Sequence, residues 1–157
     1  MTVDDPTPSA YAAPEAYSAG PSKPPAGAVA WGMGFLAFIP IPVVGSLVTA
    51  VVMMAVGNGQ KGKGELARRN GVAAANWGFT YLAATIVLVG GAVLTLVLST
   101  GGAGGPVPQW ASATAFTLLA VWLFPLQIAH LVVTIMGVVK ASSGTVFANR
   151  VALPLLR

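Results

Sequence analysis

The chain has 157 residues, of which 55% are hydrophobic and 8% charged, and its net charge is +4. Soluble domains carry about 25% charged residues, so this composition excludes an ordinary soluble domain and points to a lipid solvent. The lack of cysteine excludes disulfides, thiolate chemistry and Cys-ligated metals or clusters. The basic residues flank apolar runs, which argues against nucleic acid and for anionic lipid headgroups as partner.

Residues 1–27 hold Pro6, Pro8, Pro14, Pro21 and Pro24 among Ala, Ser and Tyr. They lack the apolar periodicity that would offset the entropy of ordering, and read as a disordered tail. No arginine flanks the prolines, so a Pro-rich docking ligand is not supported. The acidic start, with Asp4 and Asp5, does not suit a signal peptide.

The first apolar segment runs from Ala28 to Val56, longer than the about 20 residues that a span needs. Pro40, Pro42 and Gly45 lie near its middle. Each proline removes a backbone donor and clashes with the preceding turn. The segment is therefore predicted as one broken, tilted span, with a re-entrant pair of half-helices as the alternative. In both, the break faces protein, because open backbone in hydrocarbon must be covered.

A linker with Lys61, Lys63, Arg68 and Arg69 follows. The second segment starts as helix near Glu65 and is apolar from Val72 to Leu98. A glycine-rich loop without charge, Thr100 to Gln109, leads to the third, Trp110 to Val139. Lys140 ends that run, and the remainder to Arg157, with Arg150, is too short to span and reads as a basic interfacial segment. The expected fold is an all-α integral membrane protein with three transmembrane helices. Its parts are a tail (1–27), a three-span domain (28–139) and a cytoplasmic C-terminal segment (140–157).

Cytoplasmic loops collect Lys and Arg. The first linker and the C-terminus, with Lys61, Lys63, Arg68, Arg69, Lys140, Arg150 and Arg157 as anchors, are therefore expected on the cytoplasmic side of the cell membrane. A single first span puts the tail outside, which its one lysine, Lys23, favours; a hairpin puts it inside. Trp110 would mark the outer interface, with Trp77 and Tyr81 nearer the inner one.

Every Asp and Glu lies outside the apolar runs, and His130 is the only His, Lys, Arg, Asp or Glu within one. Proton-coupled carriers place carboxylates in the membrane, and a lone His makes neither a metal site nor a catalytic pair. No enzyme and no cofactor is expected. Gln127, His130 and Thr134 share one face of the third segment by spacing, as Asn76 and Thr80 do on the second. Counting inward from Arg69 and Lys140 sets the two groups level. They are read as an interhelical polar cluster that fixes helix pairing; the alternative is the lining of an oligomeric pore or carrier. Two partial rows of small residues, Ala28–Gly32–Leu36 and Gly71–Ala75–Phe79, suit close helix packing, and Gly90–Gly91 allows a bend.

Three stretches resemble a known family. They are Phe38-Ile-Pro-Ile-Pro-Val-Val-Gly45, Ala67-Arg-Arg-Asn-Gly-Val-Ala-Ala-Ala-Asn-Trp-Gly-Phe-Thr-Tyr81, and Lys140-Ala-Ser-Ser-Gly144 with the Leu-Pro ending. The chain is similar to small bacterial membrane proteins of unknown function related to the chloroplast Tic import subunit of about twenty kilodaltons. It departs from many of them in having Arg68–Arg69 where a His stands. The resemblance implies Asn76 and Thr80 as family-typical positions, and a role related to protein translocation. The function read from the sequence is a scaffold or accessory subunit of a membrane assembly, with a protein partner or a second copy of the chain.

Overall fold

The computed structural model describes residues 26–101, 104–149 and 151–156. Most of the tail, with Arg150 and Arg157, lies outside the described residues. Those described form four helices and no strand. We label them α1 (Ala28–Phe38), α2 (Pro42–Asn58), α3 (Glu65–Ser99) and α4 (Gln109–Ser142). Two of them, α3 and α4, are long and apolar enough to cross a membrane.

The first segment does not run straight through. Ile39 and Ile41 each precede a proline, and the residue before proline is driven out of the helical region. Ile39 accordingly takes φ −61°, ψ 135° and Ile41 φ −128°, ψ 82°. Pro42 then opens α2, where its missing N–H costs nothing. The chain folds back so tightly that a Cβ at Gly45 would lie 3.3 Å from the carbonyl oxygen of Ile39. Instead of one broken span, the segment is two short helices folded back on each other. At about 16 Å, α1 is too short to cross the hydrocarbon.

Both ends of this hairpin lie beside the start of α3. The Asn70 amide donates to the carbonyl of Ala26 at 2.9 Å, and Gly57 of α2 meets the backbone of Gly71. The chain therefore reaches α1 and leaves α2 on one face of the molecule. The expectation of a tail opposite the linker rested on a single first span, whereas the described segment turns back after Phe38.

Close packing uses small residues: Gly71 and Ala75 of the predicted row meet Gly57 of α2, while the other contacts differ from the predicted rows. A Cβ at Gly78 would lie 3.0 Å from the Ala50 carbonyl, so Gly71 and Gly78, two turns apart, form the α3 seam. Phe79 is exposed. On α1 the contact residue is Gly34, against Thr134, whereas Gly32 meets nothing. Gly137 of α4 lets the Trp31 indole lie on its backbone. The main core joins Ala30, Trp31, Met53, Ala74, Trp77 and Ala141.

Both long helices widen to π turns near the tip of the hairpin, at Ile86–Gly90 and Trp122–Leu126. The second contains Pro125, whose missing donor and ring a wider turn accommodates. Gly90 closes the first. Beyond these turns α3 and α4 continue as a simple pair. Their buried residues there are Ala92, Ala111 and Ala115, while Phe116 (75% exposed), Leu98 (69%) and Trp110 (62%) face outward. Such a surface is unsuited to water and suited to lipid.

Candidate functional site

The side-chain hydrogen bonds that join one element to another gather at two places. One is a buried knot where α1, α2, α3 and α4 meet. The other is the outer face of α3, which grips the C-terminal stretch.

His130 lies at the centre of the knot, fully buried. The Trp77 indole donates from Nε1 to its Nδ1 at 3.1 Å, so that nitrogen carries no proton. Nε2 therefore bears the hydrogen and donates to the Gly34 carbonyl at 2.9 Å. The Tyr81 ring lies 4.0 Å from the imidazole, centroid to centroid. The carbonyl of Gly34 is available because the tight 3-10 turns of Met33–Phe38 leave the regular α-helical ladder.

A second set closes on itself. The Tyr81 hydroxyl donates to Oε1 of Gln127 at 2.9 Å. Nε2 of Gln127 donates to Oγ of Ser46 at 3.3 Å, and Ser46 donates back to Tyr81 at 2.8 Å. Together the two sets tie the hairpin to both long helices. Groups in a low-dielectric interior need such partners, and a fully satisfied network specifies one arrangement. Thr134 lies one turn deeper, packed on Gly34, and its hydroxyl has no hydrogen-bond partner among the described residues.

Asn76 and Thr80 do not join this knot. Nδ2 of Asn76 donates to the carbonyl of Leu156 at 3.1 Å, and its Oδ1 accepts from the Leu156 N–H at 2.8 Å. The Thr80 hydroxyl accepts from the N–H of Leu153 at 2.9 Å. The predicted level was compatible with contact; the face was wrong. Trp77 and Tyr81, read as interface markers, occupy the α3 face that meets α4, and the neighbouring face is left for the chain end.

Residues 145–149 and 151–156 thus form a strap along α3. Asn70 fastens its start: Nδ2 donates to the Thr145 carbonyl at 3.1 Å and Oδ1 accepts from Phe147 N–H at 3.0 Å. The Phe147 ring meets Trp31 edge-on. Sequence reasoning missed Asn70 and Ser46. Asn70 carried a signal, being an uncharged amide early in a helix on the same side as the small residues Ala67 and Ala74; Ser46 carried none, beside the helix break.

Of the basic anchors, Lys61, Lys63 and Lys140 are exposed. Arg68 clasps Glu65 through Nε at 2.8 Å and a terminal nitrogen at 2.9 Å, and Arg69 reaches the same carboxylate at 2.9 Å. Exposed pairs of this kind are screened by solvent and contribute little to stability. Among the described residues no three His, Asp or Glu side chains come together to hold a metal. The conduit reading loses its best lining, because Gln127 and His130 spend their polar atoms inside the bundle.

A family model, that of the magnetosome magnetite crystal formation protein family (MamF/MmsF), matches residues 26–156. No curated protein and no solved structure matches significantly. The match overturns the resemblance to the Tic import subunit, which rested on short motifs; the family model covers both those motifs and everything between them.

Proposed function

The chain belongs to the magnetosome magnetite crystal formation protein family, and from that premise we propose that it serves magnetite crystal formation as a multi-pass membrane protein without catalytic chemistry of its own. It acts as a structural or accessory subunit, with a protein partner or further copies of itself. The observation that carries this reading is the family match over nearly all the described residues, in a chain whose two longest helices suit a bilayer. The closed knot around His130 supports a structural role, since its donors and acceptors are turned inward.

In the proposed arrangement α3 and α4 cross the membrane and the α1–α2 hairpin enters partway and returns. The face bearing the basic linker, Ala26 and the strap is cytoplasmic by the distribution of Lys and Arg. Anionic headgroups meet it there, while Trp110 marks the far interface.

The test is removal of the protein from a magnetite-forming cell, followed by complementation. Electron microscopy should show crystals of altered size or number, restored by the wild-type chain. It should also show restoration failing with His130→Ala combined with Tyr81→Phe if that variant no longer inserts. Normal crystals in the deletion strain would contradict the reading.

A further inference from the structure

Between the strap and α3 lies a cavity of about 350 Å³. Arg68, Arg69 and Asn76 of α3 form one wall, and Asn149, Ala152 and Pro154 of the strap form the other. We propose that this cavity binds a phosphate-bearing anion, either a lipid headgroup phosphate or free phosphate. The proposal deepens the membrane reading above and rests on it for the headgroup source.

Two features point to an anion. Asn149 is oriented from within the strap, because its Oδ1 accepts from the Val151 N–H at 3.1 Å. That leaves its Nδ2 facing away from this bond, buried and without a hydrogen-bond partner. A buried donor without an acceptor is costly unless a ligand supplies one. The opposite wall supplies charge. Glu65 is the only carboxylate among the described residues, and it is shared by two guanidiniums. One unit of positive charge therefore remains uncompensated at this wall. A guanidinium has five N–H donors, so Arg69, which meets Glu65 through Nε, keeps terminal amino groups for an oxyanion.

The remaining lining suits a small anion head on an apolar body. Val72, Ala73, Ala152 and Pro154 are apolar, and the Asn76 amide is already committed to Leu156. The cavity also sits where charged residues give way to the apolar run from Val72, which is headgroup level.

The experiment uses full-length protein in mild detergent. Retention of phosphatidylglycerol against phosphatidylcholine is measured by native mass spectrometry, with inorganic phosphate as competitor. Phosphatidylglycerol should be retained, and Arg69→Gln and Asn149→Ala should each weaken it about tenfold. Lys63→Gln removes the same charge from the exposed linker and should change it less than about threefold. Displacement by millimolar inorganic phosphate would support the proposal and identify free phosphate as the source; persistence of the lipid would support it with the headgroup as the source. Equal losses in Lys63→Gln and Arg69→Gln would overturn it, as would unchanged retention in Asn149→Ala or the absence of any lipid or phosphate binding. Asn149 lies outside the helices, so its variant tests the site even if Arg69→Gln misfolds. Failure of the wild-type chain to float with liposomes would instead strike the membrane reading.

Discussion

Near the basic linker, α3 and α4 are joined by the hairpin and the strap, and Trp31, Met53, Trp77, Tyr81 and His130 are buried among them. Beyond the π turns the same two helices bury only Ala92, Ala111 and Ala115, with Val93, Leu94 and Phe116 facing outward. One half is held by volume and hydrogen bonds; the other uses small residues for close backbone approach and leaves its surface to the solvent. In lipid, helices gain little from hiding apolar side chains, so packing and polar contacts decide which of them associate. The linker half therefore defines the fold, and the far half follows it.

That contrast can be broken most readily at its glycines. Gly137→Ala drives a methyl into the Trp31 ring and should cost about 3 kcal/mol or more, read as a lower thermal unfolding midpoint in detergent. Next in size is Asn70→Ala. It removes three hydrogen bonds that join Ala26, the strap and α3, and should cost about 2 kcal/mol while making residues 145–156 sensitive to protease. Trp77→Phe keeps most of the ring but leaves Nδ1 of His130 without its donor; the expected cost is about 1–2 kcal/mol. Gly90→Ala is the counterpart in the far half. Nothing lies within 4 Å of its added methyl, so it should be neutral or stabilise by about 0.5 kcal/mol. A larger loss at Gly90 than at Gly137 would reverse the comparison.

The two long helices were legible because their signals are local and repeated. The predicted apolar runs, Val72–Leu98 and Trp110–Val139, fall within the observed Glu65–Ser99 and Gln109–Ser142. The break at Pro40 and Pro42 was legible for the same reason, since proline acts on its own neighbours. Its direction was not. Two X-Pro steps stop a helix, but whether the chain goes on or turns back depends on Gly45 meeting the carbonyls of Leu36, Ala37 and Ile39 at the end of α1. The site failed at the same level. Spacing put Asn76 with Thr80 and Gln127 with His130 on shared faces, yet nothing in spacing tells which face meets which neighbour. The strap took Asn76 and Thr80 by backbone hydrogen bonds, which leave no side-chain pattern along residues 145–156. Trp77 and Tyr81 were read for their amphipathic rings, when their N–H and O–H groups were the more telling feature.

The central claim is that the first segment returns to the face it came from. Single cysteines at Ser9, Ser112 and Ser143 test it directly in a chain that has none of its own. Sealed vesicles of one orientation would be treated with an impermeant thiol reagent before and after detergent. The re-entrant hairpin predicts that Ser9→Cys and Ser143→Cys label alike, whichever side is exposed, and that Ser112→Cys behaves oppositely. Labelling of Ser9→Cys together with Ser112→Cys, and opposite to Ser143→Cys, would mean that the first segment crosses the membrane and would contradict the account.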